Sequence, residues 1–260
     1  MKRERSLSLF FVVSLLISIL FISGCANQIK IDSGLGPTIE VNPAVGEWKE
    51  MITKDELDYG EFILNTEELQ KVTYLGKEEI KGKLAQIYEI KTKFNDYYWI
   101  VKSNQTRIDE PEISKEWSTG QLFIIQDSAK LFEIYKGDDL QSCSVIDNRR
   151  VSLALIGTLP DFIYEATKSK DIEEYTTPTG KKLDVKKYYL DRGMNSTYEI
   201  LVSENFSFWL VKREEKISGD HEHINSYLND FGIGDSERTI SKEEAENLIS
   251  NSPLCSELFK

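Results

Sequence analysis

The tightest restriction on the fold is a period of two in hydropathy that sets in at Leu84. Tyr88, Ile90, Thr92 and Phe94 alternate with Glu89, Lys91 and Lys93, the pattern of a strand with one buried face. Asn95-Asp96 reads as a turn, residues 97–102 as a returning strand, and Arg107-Ile108-Asp109 continues the series up to Pro111. Residues 122–125 and 131–135 form a further pair around Gln126-Asp127-Ser128. Strands resume over residues 183–190, 197–203, 206–213 and 221–228. Short strands joined by polar turns predict antiparallel meanders.

Helical spacing occurs in three places. Residues 48–69 are weakly helical, with Thr53-x-x-Glu56 as a capping box and Gly60 as an interruption. Residues 149–168 carry Val151, Leu155, Ile156, Leu159, Phe162, Ile163 and Ala166, broken at Pro160-Asp161. Ser241-x-x-Glu244 caps a short helix with Ala245, Leu248 and Ile249. The expected class is therefore α+β, mostly antiparallel β, with two meanders flanking a helical insertion.

A different signal governs the N-terminus. Lys2, Arg3 and Arg5 precede an uncharged apolar run over residues 7–22, followed by Ser23-Gly24-Cys25. These are the parts of a secretory signal peptide. Sixteen residues make a helix of about 24 Å, short for a hydrocarbon core of about 30 Å. Ile22-Ser23-Gly24-Cys25 resembles the lipobox of prokaryotic lipoproteins, which implies diacylglyceryl on the Cys25 thiol and cleavage ahead of it. An uncleaved anchor with an incidental Cys is the less favoured reading. Residues 1–24 are then the leader and residues 25–46 a flexible tether rich in Gly, Pro, Asn and Ser. Residues 47–260 are one domain, outside the cytoplasm and held to the cell membrane by the lipid on Cys25.

Loss of the leader, with three basic residues and one acidic, takes the net charge from −12 to −14. So acidic a body argues against nucleic acid and against broad contact with anionic lipid. Cys143 and Cys255 remain as a disulfide candidate closing a loop of about 110 residues, worth a few kcal/mol; two buried thiols are the alternative. Asn104, Asn195 and Asn205 begin sequons and mark surface loops in a host that glycosylates its secreted proteins.

Catalytic chemistry finds little support. The chain has only two His, no Gly-x-Ser-x-Gly elbow and no Walker or Rossmann glycine pattern. Asp220-His221-Glu222-His223 is the one cluster with metal-ligand character, and it reads better as a solvated polar strand. No metal and no cofactor are expected, and the chain is read as a non-enzyme.

The order of lipobox, tether, leading helix, meander with Trp99-Ile-Val-Lys-Ser-Asn-Gln-Thr-Arg107-Ile-Asp109, helical segment and second meander resembles the LolA/LolB-like superfamily of lipoprotein-localisation proteins. The resemblance spans residues 72–237 by segment character and implies a strongly curved sheet, a half-barrel, with helices packed on its concave side around acyl chains. It implies Tyr97, Trp99, Arg107, Leu155, Leu159 and Phe162 as ligand-lining candidates, with Trp209 as core. The expected function is a monomeric, membrane-anchored carrier of a hydrophobic ligand such as the acyl chain of a lipid or lipoprotein. The alternative is a surface interaction or sensor module whose sheet is filled by its own side chains.

Overall fold

The computed structural model describes residues 43–110, 115–125, 131–136, 141–146, 167–191, 196–217, 222–235, 238–257 and 259. The first half contributes β1 (Glu47–Asp58), β2 (Phe62–Ile80), β3 (Lys83–Val101), β4 (Thr106–Asp109), β5 (Ser118–Ile125), β6 (Leu131–Lys136) and β7 (Gln141–Ile146). The second half contributes β8 (Thr167–Thr176), β9 (Lys182–Asp191), β10 (Ser196–Val202), β11 (Leu210–Ile217) and β12 (Glu222–Ile233), followed by helices α1 (Lys242–Asn251) and α2 (Pro253–Glu257).

All twelve strands join one antiparallel sheet in the order β7-β6-β5-β3-β2-β1-β12-β11-β10-β9-β8, with β4 paired to β3. The two meanders are sutured by β1 against β12, whose register runs from Glu47–Ile233 to Leu57–Glu222. Among the described residues β7 and β8 remain the ends of the sheet, which is thus unclosed.

Cross-strand pairs point to one face, which separates the two sides of the sheet. Met51 and Leu228, Val72, Tyr88 and Leu122 face inward. They form one cluster with Val185, Ile200, Phe208 and Val211 from the other meander. Strands far apart in the order meet in this cluster, so the sheet curls around it. Val72, Tyr88, Leu122, Phe208 and Val211 are fully buried there, each contributing roughly 1.5–3 kcal/mol.

The opposite, outer face carries a second cluster of Ile80, Ala85, Ile87, Phe123 and Ile134 with Ile240, Ala245, Ile249 and Cys255. Helix α1 therefore lies on the face opposite the main core. Its N-cap is Ser241, whose Oγ accepts from Glu244 N at 3.1 Å. The chain leading into it is docked by Glu89, a 4 % exposed carboxylate that accepts from Thr239 N at 2.8 Å. The concave-side helix expected over residues 149–168 lies outside the described residues up to 166, and Thr167 and Lys168 belong to β8.

Three local expectations are corrected. Residues 48–69 are not helical: they form β1, a turn at Gly60 (φ +84°) and the start of β2. Trp48, Ile52 and Glu56 fall at helical spacing, but β1 is paired on both edges and that ladder outweighs local preference. Asn95-Asp96 is not a turn. Glu67 opposes Asp96 and Glu68 opposes Phe94, so Asn95 is the extra residue of a β-bulge within one long strand. Residues 206–209 precede β11 and form a turn that inserts Phe206 and Phe208 into the core, with Trp209 at φ +62° half-buried against it.

Candidate binding site at the mouth of the inner face

From its apolar floor the inner face becomes polar, then aromatic, toward the β1–β2 turn. Beyond Met51 and Leu228 comes the row Ser226, Thr53, Glu68 and Phe94. Next is Ile224, Asp55, Thr66 and Tyr97, then Glu222, Leu57, Leu64 and Trp99. Thr53 Oγ1 and Ser226 Oγ share a hydrogen bond of 3.0 Å. The rings form a rim: Tyr59 lies 5.7 Å from Trp99, and Phe94 meets Tyr97 edge-on at 5.9 Å. Tyr97 and Trp99 are half-buried, and Tyr59 is 60 % exposed.

Carboxylates sit just inside this rim. Glu215, opposite Ile224 on β11, is 4 % exposed and paired with Arg213, which in turn opposes Ser226. Burial, then the charges of Glu222 and Glu215, push the Asp55 carboxyl up to about 7. Asp55 Oδ1 is buried without a hydrogen-bond partner. Burial also raises Glu68, and raises Tyr59 and Tyr97 with help from nearby acids. Deeper in, Lys49 opposes Val72 and Phe231, is 1 % exposed and places Nζ 5.5 Å from the Phe208 ring centre. Burial lowers its ammonium to about 7.

The site thus combines a rim of tilted and edge-on rings with half-buried hydroxyls and two carboxyls, Asp55 and Glu68, that burial raises. It can cover apolar surface and accept hydrogen bonds from a polar group.

Of the lining residues expected from sequence, Tyr97 and Trp99 come together here. Arg107 does not: it opposes Ile100 on the outer face, stacks 3.7 Å over Tyr98 and pairs with Asp96 at 2.8 Å and Asp109 at 2.6 Å. Its strand is a four-residue hairpin arm whose odd positions, Arg107 and Asp109, turn outward. Leu155, Leu159, Phe162, Cys25, Asn195, His221 and the Cys143 side chain lie outside the described residues. Asn104 and Asn205 occupy exposed turns. His223 is on the outer face, 3.3 Å from Glu214. Tyr59, Thr53, Asp55 and Glu68 were missed because a helical reading hides which positions of residues 48–69 share a face.

No protein-family model and no curated protein matches the chain. Three solved structures align loosely with it. One is a protein of Bacteroides fragilis with a YmcC-like fold, described as exported, at TM-score 0.26 and 8% identity over 73% of this chain and 96% of that one. Another, from Parabacteroides distasonis and described as a lipoprotein, aligns at TM-score 0.27 and 8% identity over 73% and 96%. A β-barrel-like protein of a domain of unknown function from Brucella abortus gives TM-score 0.24 and 9% identity over 74% and 100%. Superpositions this loose do not establish a common fold.

Proposed function

We propose that the chain is a lipid-anchored extracytoplasmic binding protein, without enzymatic activity, that holds a hydrophobic ligand such as a lipid acyl chain at the mouth of its inner face. The observation that carries this reading is the rim of Tyr59, Trp99, Tyr97 and Phe94, which meet in a tilted and an edge-on pair and are none of them fully buried. Apolar surface laid against such rings gains about 25 cal/mol per Å² removed from water, and Thr53, Ser226 and Asp55 supply acceptors for a polar end. The membrane is engaged through the lipid on Cys25, and the domain acts as a monomer.

An apolar fluorescent probe added to the purified full chain should bind saturably at about one site per molecule. Trp99→Ala should abolish that binding with little change in melting temperature, and Thr66→Phe should weaken it by filling the mouth. A well-folded chain that never saturates the probe would refute the reading. The interaction-module reading has its own support: beyond Thr53 the inner face is packed solid by Val72, Tyr88, Leu122 and Phe208, all fully buried. If the mouth is filled as well, Thr66→Phe instead overpacks it and costs about 1–3 kcal/mol of stability.

A further inference from the structure

The outer face carries a second concavity, which the binding reading above does not use. A cleft of 270 Å³ crosses β12, β1, β2 and β3, lined by Lys54, Asn65, Glu67, Tyr98, His223 and Asn225. Asp55 and Thr66, which alternate with these residues along their strands, also border it.

Most of its charges are matched: Lys54 pairs with Glu67 at 3.1 Å, Asp96, at the edge of the cleft, pairs with Arg107 at 2.8 Å, and His223 lies 3.3 Å from Glu214. Two neutral groups are not. Asn65 Nδ2 is a buried donor without a hydrogen-bond partner, and Asn225 Oδ1 is a buried acceptor without one. A buried polar group left unpaired costs roughly 1–3 kcal/mol, so two orphaned amides in one cleft call for a partner. They sit on either side of β1: Asn225 opposes Lys54, and Asn65 opposes Glu56. Two strand spacings of about 4.8 Å and a stagger of two residues along β1 separate their backbones. The Tyr98 ring, braced by the Arg107 guanidinium 3.7 Å away, gives the cleft an aromatic wall.

An anion would meet Glu67, Glu56 and Asp96, and of these carboxylates Glu67 and Asp96 are already paired with cations of the chain. A ligand with several hydroxyl groups both donates and accepts, which suits an orphaned acceptor and an orphaned donor in one cleft, and the C–H face of a pyranose suits an aromatic wall. We propose that this cleft binds a neutral polyhydroxylated ligand of the saccharide class.

The test is saturation-transfer NMR on the full chain, with the methyl glycosides of glucose, galactose, mannose and N-acetylglucosamine as probes. At least one should bind saturably. Asn65→Leu and Asn225→Leu should each weaken it about tenfold, the effect of one lost hydrogen bond, while leaving the melting temperature unchanged or higher, because each removes an unsatisfied polar group. His223→Ala, at a side chain 44% exposed, should weaken binding with no folding defect to confuse the result. Trp99→Ala should leave saccharide binding intact, which separates this site from the inner mouth. The inference is overturned if no glycoside saturates, if binding survives all three substitutions, or if these substitutions abolish binding of spermidine and of no sugar.

Discussion

Lys49 and Asp55 both face inward from β1, and they make stability depend on pH in opposite directions. The Lys49 ammonium falls from 10.5 to about 7 through burial alone. Between those values the unfolded chain binds a proton that the folded chain has released, so stability rises with pH. The penalty of the buried charge is fully present below about pH 7. Lys49→Met should therefore stabilise by several kcal/mol at pH 6, with the gain fading toward pH 10. Asp55 is raised from 3.8 to about 7, chiefly by burial and then by Glu222 and Glu215. Between those values the folded chain keeps a proton that the unfolded chain has lost, so stability falls as pH rises. Asp55→Asn should gain little at pH 4 and on the order of 2 kcal/mol at pH 8. Urea midpoints across pH measure both; parallel profiles for wild type and variants would show that neither group is held as the fold implies.

At the scale of elements, the strands with a clean alternation were readable: β3, β5, β6, β9 and β10 lie close to where period two places them. Elements failed where no side has a distinct polarity. In β1 the inward positions are Lys49, Met51, Thr53 and Asp55, so its buried face is largely polar and no hydrophobic stripe marks it. β7 and β8 carry no alternation strong enough to be read as strands. The mouth was legible only through Tyr97 and Trp99, which sit on a readable strand, whereas Asp55 and Glu68 lie in the stretch whose spacing reads as helical. The cysteine pair belongs to this scale as well. Cys255 is fully buried and disulfide-bonded, and α2 packs against β7, where Cys143 opposes Ile134, a member of the cluster around Cys255. We propose that Cys143 is its partner. The oxidised, denatured chain should then show no titratable thiol at either position, and Cys143→Ser should free Cys255 and lower stability by about 2–4 kcal/mol. An unchanged thiol count in Cys143→Ser would assign the bridge elsewhere.

The whole molecule is set by contacts that no local pattern encodes. The suture of β1 to β12 joins residues as far apart as Glu47 and Ile233, and the inner core holds β2, β3 and β5 against β9, β10 and β11. Both meanders must therefore be in place before either inner face is buried, and the sheet has to fold as a unit. Such a chain, with a net charge of −12, is repelled by anionic head groups, and no described helix is long and apolar enough to cross a membrane. For attachment to a membrane surface we propose Cys25. One diacylglyceryl group has two chains, which meets the requirement for two acyl signals in stable anchoring. Cys25→Ala should then accumulate as an unprocessed precursor, heavier by the uncleaved leader in intact-mass measurement, and wild type should carry the added mass of the lipid. Removing the leader and tether altogether should move the folded domain from the detergent phase to the aqueous phase of Triton X-114. A wild-type chain of unmodified mass that partitions like the truncated domain would sever the protein from the membrane, and with it the proposal that its ligand comes from there.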